Sequence, residues 1–320
     1  MGADGGRDRP AVNIPKPARV GLGLVWPPPD EHDLRAAVTG RVVLVTGASR
    51  GIGAASALRL GMAGATVLLV ARSTDDLDSV RRQVQAAGGS AWTYPADLAD
   101  RAAVAVLIER IGHDHGRVDV VISNAGKSIR RAVSESYDRF HDVTRTANLN
   151  YLGPVQLLLG LLPAMRARRS GHVVNVTSVS TDLPAPYWAA YTGSKAAFEW
   201  WLRCVSPELR ADGIATTSIH FPLVHTDMSA PTPLYRYLPG MTAAEAADAV
   251  CRAVAYRPRL MSPWWSRLGG AGTAAAQPAT DSVLALYYAG MRSDRLRQAA
   301  RSARRVAGRI AGSSRDGRRQ

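Results

Sequence analysis

The chain has 320 residues and a mass of 34.2 kDa, with 46% hydrophobic and 21% charged residues, enough for one large α/β domain with appendages. The net charge of +14 invites an anionic partner, but ten arginines against Asp294 and Asp316 between Met291 and Gln320 give that segment about +8 and leave the core mildly basic. No apolar run approaches the roughly 18 residues of a membrane span, the N-terminus lacks a leader's apolar core, and no aromatic-interleaved basic groove marks a nucleic-acid binder.

Residues 1–39 are proline-rich and weakly periodic, which predicts an extended arm ending in a short helix from Asp30 to Val38. Arg41 to Val45 reads as a buried strand. The turn Thr46-Gly47-Ala48-Ser49-Arg50-Gly51-Ile52-Gly53 follows at once, and then a helix over about 53–63. Glycines there let the backbone approach a pyrophosphate, which the helix N-terminus attracts; Gly47, Ser49, Arg50, Gly51, Ile52 and Gly53 are therefore cofactor candidates. A second strand, Thr66 to Ala71, completes the β-α-β context that such a turn needs.

An acid at the end of that strand would bond a ribose 2′-hydroxyl. Here Arg72 stands in its place and, with Arg50, can pair with a 2′-phosphate, so NADP(H) is favoured while NAD(H) stays open. After a helix from Asp75 to Ala87 and a strand from Ser90 to Tyr94, Asp97 and Leu98 lie where an adenine is met. A helix from Arg101 to Ile111 leads to a strand, Val118 to Ile122, and to Asn124-Ala125-Gly126, whose small residues admit a ribose and nicotinamide. His113 and His115 are expected in a solvated turn. No histidine falls at metal-ligand spacing, so no metal is expected.

One long helix is predicted from Tyr137 to Arg168, broken near Pro163 or earlier, and it carries Asn148 and Asn150. The strand His172 to Thr177 delivers Ser178, whose hydroxyl suits a substrate carbonyl. Tyr191 and Lys195, at i and i+4 of a helix reaching about Arg210, share one face. A nearby ammonium favours a phenolate and draws the phenol toward the working pH. Cys204 and Cys251 fall in predicted helices and read as reduced core residues. The strand Ile214 to His220 leads to Pro222-Leu223-Val224-His225-Thr226. Strands alternating with helices define an α/β fold, a doubly wound parallel (Rossmann) sheet.

Together, the glycine turn from Thr46 to Gly53, Asp97, the Asn124 to Gly126 element, the helix asparagine, Ser178, Tyr191 with Lys195, and the Pro222 to Thr226 segment resemble the short-chain dehydrogenase/reductase family over roughly residues 40–254. The family's spacing selects Asn150, three residues before Gly153, and Ser178, thirteen before Tyr191. The resemblance implies that Tyr191 is the general acid or base and that Lys195 lowers its pKa and holds the nicotinamide ribose. It further implies that Ser178 orients the carbonyl, Asn150 supports a proton relay, Thr226 bonds the carboxamide, and Pro222 and Val224 line the cofactor. Leu223 in place of the usual glycine and Ser123 in place of the first asparagine depart from the pattern. The proline–leucine–valine variant, Asn150 to Pro154 and Pro163 to Arg168 are similar to an actinobacterial group of fatty acyl-CoA and keto-lipid reductases.

Residues 225–241 stand where the family builds a substrate lid, and Met228, Leu234, Tyr235, Tyr237, Leu238 and Met241 make it apolar, suiting a lipophilic substrate. Thr242 to Glu245 is a capping box opening a helix to about Ala255. The expected organisation is an arm over 1–39, a catalytic domain over 40–256 and an extension over 257–320 with apolar Leu284 to Tyr288. The extension ends in a basic helix or tail, Asp294 to Ala311, suited to anionic lipid. A cytoplasmic homo-oligomeric NADPH-dependent reductase of a lipophilic carbonyl is expected. An alcohol dehydrogenase working oxidatively, a non-catalytic NADP(H) sensor and a nucleic-acid binder acting through the tail are the alternatives.

Overall fold

The computed structural model describes residues 15–290 and 292. Its centre is a seven-stranded parallel sheet built from β1 (Val42–Thr46), β2 (Thr66–Ala71), β3 (Ser90–Pro95), β4 (Val120–Ser123), β5 (Gly171–Ser178), β6 (Ile214–Phe221) and β7 (Leu260–Met261), in the order β3-β2-β1-β4-β5-β6-β7. The period of two divides its side chains between two cores. Val43, Val45, Val67 and Leu69 face one layer with Leu60, Val84 and Val250; Val42, Leu44, Leu68 and Val70 face the other with Leu107, Leu158 and Leu202. Each such fully buried aliphatic side chain contributes about 1.5–3 kcal/mol, and burial on both faces explains the near-continuous apolar runs. The order reverses between β1 and β4, so a crevice opens at the carboxyl ends of those strands.

The described part of the arm, residues 15–39, is more ordered than its composition suggests. It forms α1 (Lys16–Gly21) as well as the expected α2 (Glu31–Val38), and it lies against the domain. Arg19 pairs with Glu245 at 2.8 Å and donates to the Gly240 carbonyl at 2.6 Å, the Trp264 and Trp265 indoles donate to the carbonyls of Gly21 and Leu22, and Trp26 meets Phe221 edge-on. Asp30, His32 and Asp33 bring ligand-type atoms within 4.8 Å of one another at the exposed start of α2, a proximity that histidine spacing did not suggest.

Between the sheet strands run α3 (Gly51–Met62), α4 (Thr74–Ala86), α5 (Arg101–His115), α6 (Phe140–Ala147), α7 (Gly153–Ala167), α8 (Ala189–Ala211) and α9 (Ala243–Tyr256). The expected long helix over 137–168 is instead α6, a π-helical turn (Asn148–Leu152) and α7, while Pro163 sits within α7 without breaking it. Pro163 lacks an N–H for the carbonyl of Leu159, which lies on the solvated side where water can replace it. His113 and His115 close α5 rather than occupying a loop, and His115 Nε2 lies 2.8 Å from the Tyr94 hydroxyl. Cys251 is buried as expected, but Cys204 is exposed because it falls on the outward face of α8. The Thr242–Glu245 capping box forms as expected. The chain divides into two compact units, up to Leu268 and from Gly269 onward, with α10 (Trp264–Ala275) running across that point. Residues 277–290, which include Leu284 to Tyr288, are helical; the expected basic helix from Asp294 to Ala311 lies outside the described residues.

Candidate active site

The glycine turn lies at the carboxyl end of β1 and opens α3. Gly47 has φ +65°, and a Cβ there would lie 2.9 Å from the Asn124 amide nitrogen; a Cβ on Gly53 would run into the Gly47 carbonyl. These positions therefore leave a cradle with bare backbone, which fits a pyrophosphate at a helix N-terminus. Thr46, which motif reading passed over, is the hub behind it. Its hydroxyl donates to the Ile122 carbonyl and accepts the N–H groups of Asn124 and Ala125. The Asn124 side chain donates to the carbonyls of Thr46 and Gly47, so it clamps the turn.

Ser49, Arg50, Gly51 and Ile52 line this turn. Thr226 closes over it, its methyl 3.4 Å from where a Gly51 Cβ would stand, and Arg50 reaches 3.6 Å from Asp227 with both side chains exposed. Arg72 is exposed at the end of β2 and, with Arg145, lies close enough to Lys127 to hold that lysine's pKa down, although burial is the larger cause. Lys127 and Arg145 add to the positive field that Arg50 and Arg72 were expected to provide; no motif names them. Asp97 accepts the Ala99 N–H at 2.9 Å, Leu98 is buried beneath it, and Pro222 and Val224 are buried at the end of β6.

Opposite the cradle, β5 ends at Ser178 and α8 presents Tyr191 and Lys195 on one face. The Ser178 hydroxyl lies close enough to the Tyr191 phenol to ease its ionisation. Burial pushes the phenol up to about 12, Ser178 opposes that rise and nearby Tyr235 adds to it. The expected lowering by Lys195 is not the balance seen here, because the Lys195 ammonium donates instead to the Val176 carbonyl at 2.9 Å and burial brings the lysine down to about 8. Tyr191 is thus a protonated acid at neutral pH in this arrangement.

Asn150 stands in the π-helical turn, a common device for turning a side chain inward at a site. Its Oδ1 accepts the Lys127 N–H at 2.8 Å, and its amide donates to the Lys127 carbonyl and to Ser194 Oγ at 2.9 Å. The side chain expected to serve a proton relay therefore ties the loop after Gly126 to α8. The lid loop is closed at its base by the pairing of Val224 with Met241 and by the His225 and Met241 amides. Met228, Leu234, Tyr237 and Leu238 are exposed on it, whereas Met241 leaves the lid for the core. Tyr235 stacks on Trp188 at 5.9 Å, and Arg130 lies over Tyr187 and Trp188, forming an aromatic wall beside Tyr191.

A parallel sheet with a glycine cradle at its switch point is the arrangement with which α/β proteins bind dinucleotides. The chain belongs to the short-chain dehydrogenase/reductase family: the short chain dehydrogenase model matches residues 41–234. A fatty acyl-CoA reductase of Acinetobacter baylyi is 44% identical over 250 residues, covering 78% of this chain and 84% of that protein. An uncharacterized oxidoreductase of Mycobacterium tuberculosis is 43% identical over 255 residues, covering 79% and 75% respectively. A metagenomic short-chain oxidoreductase solved with NADP superposes with TM-score 0.62 at 29% identity, covering 70% of this chain and 96% of that one. The chain is accordingly an NAD(P)-dependent oxidoreductase.

Proposed function

We propose that this enzyme reduces the carbonyl of a lipophilic substrate, a fatty aldehyde, keto-lipid or acyl thioester, with NADPH as the preferred cofactor and Tyr191 as general acid. The observation that carries this is the half-buried, protonated Tyr191 beside Ser178, at the carboxyl edge of the sheet that also holds the glycine cradle. NADPH, when bound, supplies the hydride. Ser178 donates a hydrogen bond to the substrate oxygen and orients it, and Tyr191 delivers a proton to that oxygen as negative charge builds there. With its pKa near 12, Tyr191 holds that proton throughout the neutral range and can give it to a carbonyl oxygen. Lys195 sets the field beneath the reacting groups and holds the nicotinamide ribose. Asn150 keeps the loop after Gly126 in place.

Arg50 and Arg72, reinforced by Lys127 and Arg145, suit a 2′-phosphate. Asp97 and Leu98 bound the adenine side, and Asn124 to Gly126, Pro222, Val224 and Thr226 bound the nicotinamide side. The exposed apolar lid and the fatty acyl-CoA reductase relatives support a long-chain substrate. A homo-oligomer is supported by the groove between α7 and α8, lined by Leu159, Leu162, Trp201 and Val205 together with the charged Arg166 and Glu208, with Trp200 exposed nearby. The functional division is an arm over 1–39, a catalytic domain over 40–256 and an extension over 257–320, in a cytoplasmic protein whose arginine-rich end touches anionic membrane. Among the described residues no helix is long and apolar enough to cross one.

The test is a screen of NADPH and NADH oxidation against aldehydes, ketones and acyl thioesters of increasing chain length. Activity should rise with chain length and be greater with NADPH. Equal use of NADH, or activity confined to short polar carbonyls, contradicts the assignment.

A further inference from the structure

Behind the reacting groups lies a second set of charges, His220 and Glu199 buried and Asp182 partly so, that the reduction does not use. Asp182 ends the short 3-10 turn (Val179–Thr181) whose N-cap is Ser178. Its N–H bonds the Val179 carbonyl, Ser178 Oγ accepts the Ser180 N–H, and Thr181 Oγ1 donates to the Ser178 carbonyl at 2.7 Å. One Asp182 oxygen collects three donors, His220 Nδ1 at 2.9 Å, Ser266 Oγ at 2.6 Å and Ser262 Oγ at 3.3 Å. On the other side of the imidazole, His220 Nε2 lies 3.6 Å from Glu199. Glu199 accepts Asn175 Nδ2 at 2.9 Å and Ser218 Oγ at 2.6 Å through its second oxygen.

Every element around the histidine has been drawn into the set. From β5 come only neutral groups, Asn175 and Thr177, the latter opposite His220 in the sheet register. From α8 comes Glu199, one turn beyond Lys195; from the turn comes Asp182, and from the segment after β7 come two hydroxyls. The acid–imidazolium–acid row thus spans from the helix that carries Tyr191 and Lys195 to the turn that carries Ser178.

We propose that Asp182, His220 and Glu199 are positioning residues, a charged strut that holds the Ser178 turn at a fixed distance from the Tyr191 helix. The inference rests on the catalytic reading of Ser178 and Tyr191 and extends it to groups that touch neither substrate nor cofactor. Burial works to lower the His220 pKa, but the two carboxylates more than offset it and push it up to about 9. The strut is therefore charged throughout the neutral range and loses its central cation in alkali, leaving Asp182 and Glu199 without the charge between them.

The experiment compares wild type, Asp182→Asn and the Ser262→Ala/Ser266→Ala double variant, which keeps all the charges and serves if Asp182→Asn folds poorly. Decanal reduction with NADPH is followed from pH 6 to pH 10, with NADPH binding read by fluorescence and folding by thermal melting. A positioning role predicts that Asp182→Asn lowers kcat roughly 10- to 100-fold, as misplacement of a reacting group does, while NADPH affinity stays within about twofold. It also predicts that the alkaline fall in kcat moves to lower pH, since one of the acids retaining the His220 proton is gone. The double variant should lower kcat severalfold at unchanged NADPH affinity. Loss of kcat in step with loss of fold or NADPH affinity, or an alkaline limb at the same pH in wild type and Asp182→Asn, overturns the proposal. A wild type that binds NADPH but turns over no carbonyl ends the catalytic reading and this one with it; an active wild type with indifferent variants ends this one alone.

Discussion

Lys195 and His220 are both buried bases at the carboxyl end of the sheet, and their surroundings push them in opposite directions. Lys195 is paired with a carbonyl rather than an acid, and burial lowers it from 10.5 to about 8. For His220 burial also works downward, but Asp182 and Glu199 lift it from 6.5 to about 9. His172, buried near the amino ends of the strands with Thr217 as its hydrogen-bond partner, has no acid to lift it, and burial, helped by the Arg257 charge, pushes it down to about 3. Carboxylates are supplied where a charge holds the frame and withheld where a group sits against the reacting atoms. A lysine left uncompensated is poised to lose or share its proton, whereas a histidine between two acids is fixed.

The two sites therefore bend stability with pH in opposite senses. Lys195 binds its proton more tightly in the unfolded chain, so stability gains as pH rises from about 8 toward 10.5. His220 binds its proton more tightly in the folded chain, so its contribution is full below 6.5 and is lost as pH rises through about 9. Denaturation melts of Lys195→Met and His220→Gln across this window should remove one slope each and leave the other.

The largest effect should come from the proposed acid. Tyr191→Phe removes the proton donor without changing the shape of the cleft, and turnover should fall by about 100- to 10,000-fold at unchanged NADPH affinity. Lys195→Met should also abolish turnover but raise the melting temperature, because a costly buried charge is gone. His220→Leu should do the reverse to stability, lowering it by roughly 3–5 kcal/mol in urea unfolding, as removing one partner of a buried ionic set does. Equal signs for those two variants would break the comparison. Arg72→Ser should raise the KM for NADPH about tenfold and leave that for NADH unchanged, which is what loss of a charge-assisted phosphate contact gives. The smallest effect belongs to the arm: Arg19→Ala should cost at most about 1 kcal/mol, since Arg19 and Glu245 keep some exposure.

Sequence reading reached what local spacing encodes. The glycine turn, the Asn124-Ala125-Gly126 element beyond β4, and the offsets among Asn150, Ser178, Tyr191 and Lys195 follow from element order, and the sheet follows from alternating apolar runs. Convergence across the chain was not legible. Arg19 meets Glu245 and Asp182 meets Ser266 only because the fold returns distant segments to the same edge. His220 looks like an ordinary strand residue, and Thr46 like no more than the start of the glycine turn, until their neighbours are known. The π-helical turn was hidden because Asn148 and Asn150 mark a poor helix interior without saying whether the helix breaks or widens. Met241 looked like lid because it is apolar and near a loop, but the pairing with Val224 draws it into the core.

The central claim is that Tyr191 donates the proton as hydride reaches a lipophilic carbonyl. The most direct measurement uses NADPH deuterated at the transferable C4 position, a long-chain aldehyde, and mass spectrometry of the alcohol formed by wild type and by Tyr191→Phe. The wild type should yield alcohol carrying one deuterium, and Tyr191→Phe should bind the cofactor but form almost none. Alcohol without deuterium, or equal product from both proteins, would contradict the account.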